Sequence, residues 1–184
     1  TKKNLEVTTY RNADPIPEVT DYTVCATLTT GAWYYYNNNP ANGAIYGKMY
    51  NWYAINDPRG LAPIGWHVPS ITEWTTLRTC MGGQSVAGGA LKQVGTTTWL
   101  SPNTGATDSC NFTALAAGNR TIGFFPSPLA FDSQQSINTS FWTATEVISD
   151  PLRANVVFFV FNTAAFNLST AVKECGFSVR LIQD

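Results

Sequence analysis

The clearest pattern of polar and apolar positions in the chain predicts a helix that begins at residue 70. Ser70 can accept hydrogen bonds from the free amides of the first turn, and Glu73 can reach back to the Ser70 amide, so the two residues form a capping box. The apolar residues of the next two turns fall on one face of the helix: Ile71, Trp74 and Leu77. A glycine pair at residues 82–83 then ends the helix.

Most of the remaining regular structure is predicted to be β-strand. The runs rich in β-branched and aromatic residues, or with alternating polarity, are residues 5–10, 33–36, 155–161, 169–172 and 176–182. Residues 85–94 predict a second, weaker helix, because glycines at 88 and 89 loosen it. Residues 46–54 fit a strand or a helix equally well. Together these elements predict an α+β domain with two short helices packed on antiparallel sheets and many loops.

The composition narrows the class of protein. Charged residues make up 12% of the 184 residues and the formal net charge is −1, so the chain lacks the basic field that drives binding to nucleic acid. The longest apolar run, residues 156–161, is too short to cross a bilayer, so no membrane insertion is expected. A chain of this length predicts one domain over residues 1–184, in which residues 1–24 form an extended lead-in.

Solubility here depends on Thr, Asn, Ser and Gly, a composition typical of extracellular proteins. The four cysteines lack the close spacing of a zinc site, and two explanations stay open: disulfides, which secretion favours, or buried free thiols. They are Cys25, Cys80, Cys110 and Cys175. Four asparagines begin glycosylation sequons that matter only if the producing cell glycosylates secreted proteins: Asn111, Asn119, Asn138 and Asn167.

The sequence offers little for catalysis. His67 is the single histidine, and it precedes the capped helix between apolar residues, so we interpret it as structural, hydrogen-bonded to the backbone. The chain has no nucleophile elbow, zinc-protease motif or phosphate loop, so we predict no enzyme activity, no metal and no cofactor.

Aromatic residues and one arginine are the candidates for ligand contact. Trp33, Tyr35 and Trp52 can stack on sugar rings from an exposed face, or they can belong to the core, which is the favoured interpretation. Arg59 lies in the polar turn at residues 56–60, where it can pair with Asp57 or bind an acidic ligand.

Two adjoining segments carry a family resemblance. Residues 46–63 read YGKMYNWYAINDPRGLAP, and residues 65–70 read GWHVPS. Further matching segments are NLEVTTYRN at 4–12, SPNTGAT at 101–107, FWTATE at 141–146 and GFSVR at 176–180. The chain strongly resembles the Fibrobacter succinogenes major paralogous domain, known as FISUMP. The resemblance implies a secreted or surface-attached bacterial domain without established enzymatic activity, with a fold similar to C-type lectins and formylglycine-generating enzymes. The catalytic cysteines and the calcium signatures of those two groups have no counterpart here.

The departures from the family suggest a function. Family members usually carry a further segment before the motif that begins at Asn4, so we expect this domain to lack the strand that the segment would supply. Cys110 and Cys175 stand where the family more often has Ser or Asn, which suggests a disulfide between these two segments. We therefore expect a non-catalytic structural subunit that associates with copies of itself, as a filament or fibril, by strand complementation through its N-terminal segment. The alternative is a lectin-like module that binds a glycan or another surface ligand.

Overall fold

The computed structural model describes residues 1–123 and 130–184. Its helices are α1 (Tyr22–Cys25), α2 (Pro40–Tyr46), α3 (Trp52–Ile55), α4 (Ile71–Cys80) and α5 (Ala87–Leu91), with a 3-10 turn at Tyr36–Asn38. Its strands are β1 (Trp33–Tyr34), β2 (Met49–Tyr50), β3 (Trp66–His67), β4 (Asn119–Ile122), β5 (Ala130–Ser133), β6 (Asn138–Glu146), β7 (Arg153–Val160), β8 (Asn167–Val172) and β9 (Ile182–Gln183).

A three-stranded antiparallel sheet in the order β6-β7-β8 forms the largest layer that the structure describes. Phe141 pairs with Val157 across β6 and β7, and Val157 pairs in turn with Leu168 of β8. The helices α4 and α5 pack against this sheet and bury a cluster that includes Trp74, Leu91, Trp99, Phe141, Val157, Phe159 and Phe166. The α+β class is confirmed, with short helices and small antiparallel sheets, but the described residues contain five α-helices where the sequence predicted two.

The capped helix begins and ends close to where the sequence predicts. The Ser70 hydroxyl accepts from the Glu73 amide, and the Glu73 carboxylate accepts from the Ser70 amide at 2.7 Å. The second helix is shorter than predicted, because Lys92 leaves the helical conformation after Leu91. Its two glycines pack tightly: a Cβ at Gly88 would lie 2.1 Å from the Ala165 carbonyl oxygen, and one at Gly89 would lie 2.4 Å from that of Gly105.

The ambiguous residues 46–54 contain both kinds of element. The helix α2 ends at Tyr46, β2 follows, and Asn51 caps α3 by accepting from the Ala54 amide at 3.1 Å. Each element is too short for periodicity to identify it.

The predicted strand over residues 176–182 is irregular in the structure. Gly176 pairs with Arg120, Phe177 with Tyr50 and Ser178 with Phe141, so successive residues hydrogen-bond to three different parts of the chain. Regular pairing is restricted to β9, which pairs antiparallel with β3. Residues 5–10 likewise form no named strand, and Thr9 makes only an isolated bridge with Pro15.

A buried ion pair joins β4 to β5, and both of its side chains contact the N-terminal half. The Arg120 Nε donates to Asp132 at 2.8 Å, and both side chains are almost fully buried. The guanidinium lies between the rings of Tyr22 and Tyr34, 4.5 Å from each centroid. The Tyr22 hydroxyl and the Asn37 amide also donate to Asp132, which completes its hydrogen bonding.

Candidate functional site: the groove that holds the N-terminal segment

Residues 1–5 lie in a groove of their own chain, which we call the segment groove. One wall is residues 46–48, at the end of α2, and the other is residues 178–181. The Leu5 amide donates to the Val179 carbonyl at 2.9 Å, and the Lys48 amide donates to the Leu5 carbonyl at 3.2 Å. Leu5 therefore connects the two walls through main-chain hydrogen bonds.

Asn4 is the best-anchored side chain of the segment. It is 7% exposed, and its Nδ2 donates to the Tyr46 carbonyl at 2.7 Å and to the Ser178 hydroxyl at 3.2 Å. Its Oδ1 accepts from the Arg180 Nε at 2.6 Å. Because a side-chain amide both donates and accepts, Asn4 can satisfy a carbonyl, a hydroxyl and a guanidinium at one buried position.

Arg180 lies at the base of the groove and is 2% exposed. Its Nη1 donates to the Thr1 carbonyl at 2.8 Å and to the Phe112 carbonyl at 2.7 Å, and its Nη2 donates to the Thr113 carbonyl at 3.0 Å. The guanidinium also lies 4.3 Å from the centre of the Phe112 ring. Burial lowers the pKa of Arg180 to about 10, so the side chain stays charged at neutral pH.

Thr1 and Gly47 complete the contacts at the two ends. The Thr1 nitrogen donates to the Leu181 carbonyl at 2.7 Å, and the Leu181 amide donates to the Thr1 hydroxyl at 3.2 Å. Gly47 has φ +76°, and a Cβ there would lie 3.0 Å from the Asn4 Cβ and 3.3 Å from the Leu5 carbonyl oxygen. Glycine is therefore required both by the backbone conformation and by the close approach of the segment.

The groove was not predicted from the sequence, although its key residues stand in the segments that carry the resemblance. The available signal was Arg180, a charged residue inside an apolar run, which needs buried partners. The groove can recognise an extended peptide. It does so through main-chain hydrogen bonds and through the buried partners of one side-chain amide.

The structure does not bring the predicted ligand-contact residues together. Trp33 is 7% exposed and Trp52 is 3% exposed, and they lie in different core clusters. Their indole N–H groups donate to the backbone carbonyls of Ile16 and Thr143. The interpretation as exposed sugar-stacking residues is wrong for both tryptophans, because their faces are covered and their polar atoms are already paired.

Tyr35 and Arg59 are partly exposed but take part in local structure. The Tyr35 ring packs edge-on against Trp33, and the Lys48 ammonium lies 5.0 Å from its centre. Arg59 pairs with Asp57 at 2.8 Å and with Asp14 at 3.2 Å, and its guanidinium lies 4.0 Å from the Tyr10 ring. Of the two roles that the sequence allows for Arg59, the structure shows the pairing with Asp57 within the turn.

The four cysteines are free thiols, so the expected disulfides are not observed. Cys25 and Cys175 are buried in separate core clusters, whereas Cys80 and Cys110 are exposed. The pairing of Cys110 with Cys175 that the resemblance suggested is wrong here, because Cys175 lies inside the cluster of Trp52, Trp142 and Phe177. Burial raises the pKa of the Cys175 thiol to about 11, which keeps it protonated.

The glycosylation sequons divide by exposure. Asn119 and Asn138 are buried and hydrogen-bond to each other at 3.2 Å, so the folded chain has no room for a glycan on either. Asn167 is half-buried in β8, and its Nδ2 donates to the Phe158 and Ala165 carbonyls. Asn111 is exposed and is accessible to a glycosylating enzyme.

His67 bridges two carboxylates rather than the backbone. Its Nε2 lies 2.8 Å from Glu73, and its Nδ1 lies 2.6 Å from Asp184. Hydrogen bonds to Glu73 and then to Asp184 raise the pKa of His67. The predicted hydrogen bonds to the backbone are therefore wrong: the partners of His67 are acidic side chains, and they link α4 to Asp184.

The described residues hold neither a metal-binding cluster nor a helix that could cross a membrane. Within residues 1–123 and 130–184, no group of three or more His, Cys, Asp or Glu side chains is placed to hold a metal ion. None of the helices in those ranges combines the length and the apolar character that a membrane crossing needs.

The architecture and the groove define a small α+β protein that clamps its own N-terminal segment with a buried arginine. The chain belongs to the Fibrobacter succinogenes major domain family, whose model matches residues 1–183. Neither a curated protein nor a solved structure matches the chain.

Proposed function

We propose that this chain is a non-catalytic, extracellular structural subunit that assembles with copies of itself by exchange of its N-terminal segment. In the assembly, residues 1–5 of one copy occupy the segment groove of the next. The observation that carries the proposal is the anchoring of Asn4 by Tyr46, Ser178 and Arg180. The secreted location is supported by the charge-poor composition and by the family resemblance.

The same contacts can form within one copy or between two copies, which is the condition for domain swapping. A segment that leaves one groove and enters another conserves every hydrogen bond of Leu5 and Asn4, so the exchange costs little enthalpy. Because donor and acceptor surfaces differ, each added copy presents a new free groove or segment, and such head-to-tail contacts propagate when they do not close a ring. The net charge of −1 leaves little repulsion between copies.

A complementation experiment tests segment exchange directly. The Asn4→Ala variant keeps its groove but carries a weakened segment, whereas Gly47→Ala keeps its segment but obstructs the groove. We expect the unmodified chain to form species whose size rises with concentration in sedimentation velocity. Neither variant alone forms them, and an equimolar mixture gives capped dimers in which one chain donates and the other accepts.

Gly65→Ala is the matched control for the obstructed groove. Gly65 has φ +80° but nothing lies within 4 Å of a Cβ built there, so the variant carries the backbone strain without the obstruction. It should assemble like the unmodified chain. A strict monomer over a wide concentration range, or assemblies that persist in Gly47→Ala, would contradict segment exchange.

The alternative of a glycan-binding module has less support. Two of its four predicted contact residues, Trp33 and Trp52, are buried, and the partly exposed Tyr35 and Arg59 are engaged with Trp33 and Asp57. Binding on a broad glycan array that is lost in Tyr35→Ala, with folding intact, would favour the alternative over segment exchange.

A further inference from the structure

The strand β8 lies at one edge of the three-stranded sheet. Within the described residues it pairs with β7 on one side, and no named strand lies on its other side. It contains neither a proline nor a charged residue, and its six residues pair with β7 in unbroken register, without a bulge. Proteins commonly use prolines, charges and bulges to block an exposed edge. The edge of β8 has none of these in its own sequence, so it is suited to accept one more strand.

The pairing with β7 shows which backbone groups of β8 face outwards. The Lys173 amide donates to the Leu152 carbonyl at 3.0 Å, just beyond the end of the ladder. Because hydrogen-bonded and non-hydrogen-bonded pairs alternate along an antiparallel ladder, Val172, Thr170 and Leu168 point their N–H and C=O groups away from β7. Outside the ladder, the amides of these three residues donate to no backbone carbonyl in the described part of the chain.

A cleft of about 490 Å³ borders this edge of β8, and its lining includes the three consecutive residues 170–172. Successive side chains of a strand point to opposite faces, so a cleft that touches all three residues lies against the edge of the strand. Ile122 of β4, Phe131 of β5 and the buried Phe177 also line it. Ligand sites occupy about 300–1,000 Å³, so the cleft has room for part of an added strand and its apolar side chains.

Arg153 of β7 places a positive charge at the same edge. Its Nε donates to the Thr170 hydroxyl at 3.0 Å, and its Nη2 donates to the Thr170 carbonyl at 2.8 Å. Since that carbonyl points away from β7, the guanidinium is held at the outer side of β8, where it lines the cleft and is half-buried. Within the described residues Arg153 forms no ion pair with a carboxylate. A carboxylate is the acceptor that best matches a guanidinium.

From these features we propose that the β8 edge binds an extended segment of a partner protein, in which an acidic residue lies opposite Thr170 and an apolar residue lies on each side of it. The segment pairs antiparallel with β8. Its acidic side chain lies on the face of Thr170 and Arg153, and its apolar side chains lie on the face of Ala171, which packs in the cluster of Phe177.

The β8 strand of a second copy fits this edge less well than an acidic segment does. It contains no acidic residue, and antiparallel pairing of two copies through Thr170 would bring two Arg153 guanidiniums close together, which is unfavourable. The proposal does not depend on segment exchange, because residues 46–48 and 178–181, which form the segment groove, take no part in it.

Titration of the ¹⁵N-labelled full chain with the peptide STVEVTS, blocked at both ends, tests the proposal. We expect saturable shifts of the Leu168, Thr170 and Val172 amide signals. The peptide STVQVTS keeps the shape and loses the charge, so it should bind at least about fivefold more weakly. In Arg153→Gln the two peptides should bind equally, because the guanidinium is what distinguishes them. Gly47→Ala, with its segment groove obstructed, should bind STVEVTS as the unmodified chain does, so this result is independent of segment exchange.

Methylation of peptide nitrogens tests the backbone pairing. The glutamate N–H donates to the Thr170 carbonyl in the proposed complex, whereas the N–H groups of the two valines point away from β8. Methylation of the glutamate nitrogen should therefore abolish binding, and methylation of either valine nitrogen should weaken it by less than about threefold. Four results would overturn the proposal: no shift of the β8 amides, equal binding of the two peptides to the unmodified chain, equal loss of binding on methylation at either kind of position, or β8 shifts that appear in Gly47→Ala on raising its concentration without peptide, which would assign the edge to a second copy.

Discussion

Arg180 donates its Nε hydrogen to the Oδ1 atom of Asn4 over 2.6 Å, although 176 residues separate the two along the chain. This contact joins the two ends of the sequence inside the protein. The Leu5–Val179 main-chain hydrogen bond lies next to it, so the first and last parts of the chain form one structural unit.

Replacing Asn4 should therefore destabilise the whole domain. Asn4→Ala leaves the Arg180 Nε, the Tyr46 carbonyl and the Ser178 hydroxyl without their buried partner. We expect the free energy of unfolding in urea to fall by about 2–3 kcal/mol, the cost of leaving buried polar groups unpaired. Lys3→Ala, at the exposed neighbouring position, should change it by less than about 0.5 kcal/mol. An equal effect of the two variants would contradict the anchoring role of Asn4.

The buried ion pair between β4 and β5 gives a second prediction. Asp132→Asn keeps the size of the side chain but leaves the charge of Arg120 uncompensated at a fully buried position. Breaking such a pair from one side costs about 3–5 kcal/mol, and we expect a loss of that size in urea unfolding. Asp14→Asn removes the carboxylate of an exposed pair with Arg59 and should leave the free energy of unfolding nearly unchanged.

The contrast between Ser70 and Asn4 explains how far the sequence predicts this structure. The capping box needs only residues three positions apart, so local spacing predicts α4 and its register correctly. The apolar run at residues 155–161 likewise predicts β7, because it is a local signal that needs no knowledge of distant contacts. The groove depends instead on contacts between residues far apart in the chain, and no periodicity reports which distant carbonyl an amide will meet.

The sequence favours burial of Trp33 and Trp52 in the core but does not exclude a sugar-binding face, and the structure buries both. Tryptophan is a residue type that sugar-binding faces use. In a chain with few charged residues, however, aromatic side chains such as Trp33 and Trp52 also fill the core. The run at residues 176–182 was apolar because it is buried, yet burial alone does not specify one pairing partner. Each of its first three residues pairs with a different segment.

His67 should make stability depend on pH in a defined window. Its pKa is raised in the folded chain by Glu73 and Asp184, so its stabilising effect is complete below the unfolded pKa of about 6.5 and is lost as pH rises through the folded pKa. Because the side chain is 41% exposed, solvent screening limits the effect to less than about 1 kcal/mol. His67→Gln should lower the melting temperature at pH 6 and leave it nearly unchanged at pH 8.5. A difference that is the same at both pH values would show that only packing is involved.

Lys92 should produce the opposite dependence on pH. Its ammonium is buried and donates to three carbonyls, of Thr104, Val160 and Thr163, at 3.0, 3.0 and 2.9 Å. Burial lowers the pKa of Lys92 to about 8, whereas the unfolded side chain titrates near 10.4. Between these values the unfolded chain binds more protons, so the contribution of Lys92 to stability rises with pH, by at most about 1.4 kcal/mol per pH unit.

The pH dependence due to Lys92 is measured as the difference in the free energy of unfolding between the unmodified chain and Lys92→Met. A difference is needed because other groups titrate in the same pH range. The Cys175 thiol, with its pKa raised to about 11, works in the opposite direction and is common to both chains. Lys92→Met should be less stable at every pH, since the three carbonyls lose their donor. The gap between the two chains, from urea unfolding at pH 7.5 and pH 10, should widen at the higher pH. A gap that stays constant would mean that the folded chain holds the Lys92 proton as firmly as the unfolded chain does.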